Sequence, residues 1–226
     1  ESHFMGVHCG VMDQMAVAAC EPGCALLIDC RKLKLESIAV NLRDSVFVVV
    51  DSGVKRELKN SAYNDRREEC EKAYAELQKI DPGLNCLSDA TLTVLKKAGD
   101  PSEVWFKRAR HVLTENARVR KAVEALKNGD APAFGALMTQ SHESLRQDFE
   151  VSSRELDALV EGALALEGVY GARLTGAGFG GCTVNLVAAS KVDAFEKGIV
   201  KAYKAKTGLD AKVYRFNPGS PARLLT

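Results

Sequence analysis

Residues 174–187 read LTGAGFGGCTVNLV, and the fold turns on the residues just after the glycines. Gly176, Gly178 and Gly181 stand at a GxGxxG spacing. In a dinucleotide-binding fold that spacing joins a strand to a helix whose N-terminus meets a pyrophosphate. Here it leads into CTVNLV, where Thr183, Val184, Leu186 and Val187 favour a second strand. No acidic residue closes a further strand about 20 residues on, because that place falls in a helical pattern beginning near Val192. The loop therefore joins two strands, which speaks against a doubly wound nucleotide fold. A Walker A loop is absent too, since no GxxxxGK(S/T) occurs. Two roles stay open for the loop. It is a hairpin that uses glycine for positive φ, or backbone left bare so that its amides approach a ligand anion. Five glycines among residues 171–181 exceed the need of one tight turn.

Upstream of this hairpin the pattern changes twice. Residues 10–20 carry good helix formers and stop at Glu21-Pro22-Gly23. Three β-rich runs come next at 24–30, 35–40 and 45–53, the last a nearly unbroken Val/Phe run expected to be buried on both faces. From about Asn60, a plausible N-cap, the chain reads as helix. It does so to Asp81-Pro82-Gly83, then over 102–130 with its end at Asn128-Gly129, then over 131–149. In the next helix Ser152 and Glu155 stand at capping-box spacing, and Gly168 is the expected C-cap. After the hairpin come a helix ending at Gly208, a strand DAKVYRF and a tail containing Pro and Gly. Strands, a helical block, a hairpin, a helix and a strand, without internal repeats, predict an α+β fold.

Composition excludes several function classes. The formal net charge is +1, so no global field recruits nucleic acid or an anionic membrane. No apolar run approaches the roughly 18 residues needed to cross a bilayer. The seven cysteines contain no CxxC pair and no zinc-like spacing, so scattered thiols point to a reducing, cytoplasmic setting and to no metal site in this chain. The chain opens at Glu1 without Met, and ESHFMGVHCG reads as the middle of a longer sequence.

Few residues stand out for chemistry. Asp13 lies in the first turn of the opening helix. There it complements the helix dipole, or it acts as a base beside a substrate hydroxyl, as in phosphoryl transfer. Tyr63 falls in the first turn of the next helix, with an ordinary half-buried role open to it. His142 reads as a hydrogen-bonded core histidine and Trp105 as core. Lys107, Arg108, Arg110, Arg118, Arg120 and Lys121 read as a solvated helix face.

Seven stretches, taken together and in order, resemble the galactokinases, a branch of the GHMP family of small-molecule kinases. They are GVHCGVMDQ, ALLIDCR, SAYNDRREECE, FKRARHVLTEN, MTQSHESLRQDFEVS, ELDALVEGAL and GVYGARLTGAGFGGCTVNLV. The resemblance runs through nearly the whole chain. It implies a GHMP C-terminal domain, an antiparallel sheet packed with a helical block, over 55–226. Residues 1–54 are then the end of a ribosomal-S5-like N-terminal kinase domain. It implies transfer of the ATP γ-phosphoryl group to the anomeric hydroxyl of α-D-galactose, with Mg²⁺. It makes Asp13 the catalytic carboxylate, Gly10 and Tyr63 sugar contacts, and Gly176, Gly178, Gly180 and Gly181 an auxiliary loop closing over the site. Ala177 stands where the family's commonest form has Gly, and its Cβ restricts positive φ, so the backbone there can differ. The family's arginine motif and its PxGxGLSSSA phosphate loop do not occur in this sequence. The expectation is a C-terminal portion, inactive alone, of an active sugar-1-kinase. A sugar-sensing regulator and a sister kinase for N-acetylgalactosamine, arabinose or galacturonate are the alternatives.

Overall fold

The computed structural model describes residues 10–54, 59–216, 219 and 222, and the side chains of 59–61 lie outside that description. Cys9 and residues 55–58, where the expected domain boundary falls, also lie outside it. The architecture is α+β, as the element order predicts. Helix α1 (Met12–Ala19) is followed by strands β1 (Cys24–Asp29), β2 (Lys34–Ala39) and β3 (Ser45–Asp51). Five helices come next: α2 (Lys59–Gln78), α3 (Leu92–Ala98), α4 (Val104–Asn128), α5 (Ala131–Gln147) and α6 (Arg154–Leu164). The chain closes with β4 (Val169–Thr175), β5 (Cys182–Ala188), α7 (Val192–Thr207) and β6 (Lys212–Phe216).

β1 and β2 form a separate antiparallel hairpin, while the main sheet has the order β4-β5-β3-β6. Every pairing in it is antiparallel, with Val48 opposite Asn185 and Arg215. Loop 176–181 thus links two adjacent antiparallel strands, as its sequence requires.

One face of the sheet meets α6 and α7, and sequence periodicity dictates how. Leu156, Leu159, Val160 and Ala163 recur at helical spacing on α6, and Phe195, Ile199 and Tyr203 do so on α7. Leu159, Val160 and Ala163 join Phe195, Ile199 and Tyr203 in one core cluster with Val48, Val50, Ala172 and Val187. Tyr203 buries its ring there and donates its hydroxyl to the Ser52 carbonyl at 2.9 Å. α5 packs against β4 through a contact between two glycines. A Cβ on Gly171 would stand 1.9 Å from the Gly135 carbonyl oxygen, and one on Gly135 would stand 2.3 Å from the Tyr170 carbonyl. Only glycine at both positions permits that approach.

Helix ends obey their predicted chemistry in part. Gly129 and Gly208 cap α4 and α7 in the left-handed conformation. The α6 cap is Ser153, whose hydroxyl accepts from the Leu156 amide, whereas Ser152 donates to Asp157 at 2.6 Å. α6 closes at Ala165, so Gly168 is not its cap but opens β4 with φ +85°. Asn60 lies inside α2. Val48 and Val50 are fully buried, but Phe47 and Val49 on the other face of β3 are only half-buried. The basic run on α4 is solvated only in part: Arg120 and Lys121 are exposed, but Arg108 is 1% exposed, and Arg110 and Arg118 are ion-paired. Trp105 is core. Among the described residues no helix is long and apolar enough to cross a membrane.

Candidate active site

A cleft of about 480 Å³ gathers residues from five places in the chain. α2 contributes Tyr63, Arg66, Arg67 and Cys70, which are one helical face at i, i+3, i+4 and i+7. Leu145 near the end of α5 and the turn carrying Phe149 and Val151 form a second wall. Gly176, Ala177 and Phe179 of the glycine loop form a third, and Gly10 before α1 completes it. Three residues singled out by sequence, Gly10, Tyr63 and Gly176, therefore share one cavity. Asp13 is not among its lining residues. It sits exposed in the first turn of α1, three positions beyond Gly10. Gly178, Gly180 and Gly181 shape the loop without lining the cleft. Tyr63 is half-buried, a full turn into α2 rather than at its start.

The loop's backbone is held by carbonyls of other segments. Gly176, Gly178, Phe179, Gly180 and Gly181 all have positive φ. The Phe179 amide donates to the Val151 carbonyl at 2.7 Å, and the Gly181 amide to the Val54 carbonyl at 3.3 Å. Those two amides are thus engaged by protein and do not offer themselves to an anion. A Cβ on Gly178 would stand 2.1 Å from the Val151 oxygen. Ala177 is not among the positive-φ residues, so its Cβ is accommodated without strain.

The turn at 148–151 is fixed as firmly, although Glu150 adopts φ +52°. Buried Arg108 donates to the Asp148 carbonyl at 2.6 Å and pairs with Glu69 and Glu150 at 2.6 and 2.9 Å. Burial opposes its charge, but the bonds to Glu69 and Glu150 prevail and hold its pKa above the ordinary value. Hydrogen bonding from Arg108 holds the Glu150 carboxyl below its usual range. Phe149 stacks on His111 with ring centroids 4.5 Å apart, and His111 Nδ1 meets Ser144 Oγ at 2.9 Å. Burial pushes the His111 pKa down to about 4, so its imidazole is neutral at pH 7. His142 is a core histidine, as predicted. Its Nδ1 accepts from the Leu174 amide at 3.3 Å, which leaves Nε2–H to face Asp157 at 3.3 Å. Burial pushes the Cys70 thiol up to about 11, so it is protonated and unreactive at neutral pH.

Among the described residues no carboxylate lines the cleft, and no group of three His, Cys, Asp or Glu side chains is placed to hold a metal. The described residues do not fit a magnesium site. Arg66, Arg67, Cys70, Phe149, Val151 and Phe179 escape sequence reasoning. Helical spacing from Tyr63 was the signal available for the first three.

Comparison with known proteins bears on the family and the fold. Residues 122–205 match the family model for the GHMP kinases C terminal domain. Galactokinase of Fusobacterium nucleatum is 45% identical over 224 residues, covering 98% of this chain and 58% of the relative. Galactokinase of Roseiflexus sp. is 47% identical over 216 residues, covering 95% and 55%. The crystal structure of Lactococcus lactis galactokinase complexed with galactose superposes with a TM-score of 0.93 at 37% identity, over 99% of this chain and 58% of that one. The chain thus spans somewhat over half the length of the relatives it matches. Residues 122–205 therefore match the GHMP kinases C terminal domain, and the chain along nearly its whole length is similar in sequence and fold to galactokinases.

Proposed function

We propose that the protein carrying this chain is a galactokinase, transferring the ATP γ-phosphoryl group to the anomeric hydroxyl of α-D-galactose. The observation that carries this reading is the cleft. It unites Gly10, Tyr63 and the glycine loop in a fold matching a galactokinase complexed with galactose along 99% of the chain. ATP use is inferred from the family. Gly10 and Tyr63 contact the sugar, with Gly176–Gly181 as the wall beside it. Asp13 accepts the hydroxyl proton while that oxygen attacks phosphorus and ADP leaves, a role that needs a carboxylate ionised at neutral pH. Mg²⁺ accompanies ATP in this reading. The described residues supply no site for it.

We also infer that α1, β1 and β2 belong to an N-terminal kinase domain. The pairing of β3 with β5 and β6 supports reading the approximate boundary before Ser45 rather than at residue 54. A cytoplasmic setting is supported by the free thiols of Cys20, Cys24, Cys30, Cys70 and Cys86. The test is galactose-dependent ADP formation by the full-length protein, beside its Asp13→Asn variant and the 226-residue chain alone. Asp13→Asn is expected to cut kcat at least 100-fold while galactose still binds, in line with loss of a general base. The isolated chain is expected to show no turnover. Near-normal turnover by Asp13→Asn removes Asp13 from the chemistry, and a full-length protein silent with galactose refutes the assignment.

A further inference from the structure

We propose that Arg66, backed by the buried Arg108, is a positioning residue that sets the glycine loop through the 148–151 turn. The proposal rests on the cleft being the sugar-kinase site. Four successive carbonyls in that turn each accept from one donor. Arg108 Nη1 takes that of Asp148 at 2.6 Å, Arg66 Nε that of Phe149 at 2.7 Å, and Arg66 Nη2 that of Glu150 at 3.0 Å. The fourth, Val151, receives the Phe179 amide of the glycine loop at 2.7 Å. The arginines therefore aim the turn so that its last carbonyl reaches the loop.

Arg66 also touches the loop directly. Its guanidinium carbon lies 6.0 Å from the Phe179 ring centroid, within cation–π range. Its remaining nitrogen pairs with Glu69 at 3.1 and 3.2 Å. The same carboxylate accepts from Arg108 Nε at 2.6 Å, so Glu69 locks both arginines to α2. Tyr63 lies one helical turn before Arg66 on the same face. The residue expected at the sugar and the residue that orients the loop thus move as one rigid unit. The geometry needs a planar fork. A lysine keeps the charge but, as a point donor on a flexible stem, cannot span two carbonyls and a carboxylate at once.

The test compares Arg66→Lys and Arg66→Ala in the full-length protein by hydrogen exchange and steady-state kinetics. In Arg66→Lys, amides of the segment 176–181 are expected to exchange at least tenfold faster, with α7 and β5 unchanged. Its kcat is expected to fall at least tenfold with the sugar KM within threefold, and Phe179→Leu to add little on top. Unchanged exchange at 176–181 in Arg66→Lys overturns the proposal. So does acceleration throughout the molecule, or a kcat loss that only tracks the unfolded fraction. If Arg66→Ala fails to fold, Arg66→Lys decides alone. If the wild-type protein does not phosphorylate galactose, the functional reading fails, and the exchange result still decides the role of Arg66.

Discussion

Two hairpin connections in this molecule solve the same problem by opposite means. The backbone of the turn between β1 and β2 is held by its own residues, while the Arg31 side chain pairs with Asp89 outside it. Asp29 Oδ1 accepts from the Arg31 and Lys32 amides, both at 3.0 Å, and Leu33 takes φ +50° to reverse the chain. The connection between β4 and β5 is held from outside, by carbonyls of Val54 and Val151 and by the Arg66 cation over Phe179. A locally closed turn needs only its own sequence. A loop closed by distant partners takes whatever shape those partners impose, and this one forms a wall of the cleft. Backbone strain at Leu33 is incidental to a turn, whereas strain at Phe179 places a ring against the site.

The sharpest way to break the contrast is Gly178→Ala. Positive φ costs a residue with a Cβ about 1–2 kcal/mol, and the added carbon meets the Val151 carbonyl at 2.1 Å. A stability loss of about 3 kcal/mol in urea denaturation and a fall in turnover of at least about 100-fold are expected. A loss below about 1 kcal/mol, near the cost of Gly→Ala at an open turn, shows that the loop is as independent as the β1–β2 turn.

Near neutral pH acid attacks the externally held side through His111, whereas the lowered pKa of Asp29, held down by the Lys32 and Arg31 amides, defers any loss at the β1–β2 turn to lower pH. Burial drives the His111 pKa from 6.5 to about 4, against the pull of Glu115 and Asp148 and with the help of Arg118 and Arg173. The unfolded chain therefore binds the proton more readily. Stability is full above about pH 6.5 and falls as pH drops from there toward 4. Between pH 7 and pH 5 the loss is expected to be roughly 2 kcal/mol by proton linkage. Burial also depresses His142, so part of the slope belongs to it. His111→Gln is expected to flatten the profile in that window, and an unaltered slope assigns the effect elsewhere.

The smallest effect sharpens the comparison most directly. Leu33→Gly and Phe179→Gly relieve the same left-handed strain, φ +50° and +56°. The first is expected to raise stability by about 0.5 kcal/mol and leave turnover alone. The second gives up a ring contact worth about 0.5–1 kcal/mol and is expected to lower turnover about tenfold. Equal behaviour in thermal denaturation and in the kinase assay erases the distinction.

Legibility in the sequence divides along the same line between local and distant causes. Helices ending at Gly129 and Gly208 are readable because the signal is one residue in one conformation. Thr183, Val184, Leu186 and Val187 announce a strand and so decide the fold class. The short α3 escapes because seven residues leave little periodic pattern. The α6 cap is displaced by one residue from its expected place, since Ser152 and Ser153 are equally able and only the Ser152–Asp157 bond separates them. Arg108 looks solvated in the sequence and is buried in the fold. Its burial depends on Glu69 and on residues 148–150, about 40 positions away on either side, and no local pattern encodes that. Of the site, Gly10, Tyr63 and the glycines are visible through resemblance. Phe149 and Val151 are not, because their place is set by tertiary contacts.

The paired glycines where α5 meets β4 carry a mechanical consequence. With no side chain between them, helix and strand touch backbone to backbone at Gly135 and Gly171, and the seam acts as a fulcrum. Leu145 stands ten residues along the same helix, an arm of about 15 Å. A tilt of about 4° at the fulcrum swings the far end by about 1 Å over that arm. Any atom wedged into the seam is therefore amplified along the helix before it is felt at the cleft, and a change distant from the cleft can register there as a displaced wall.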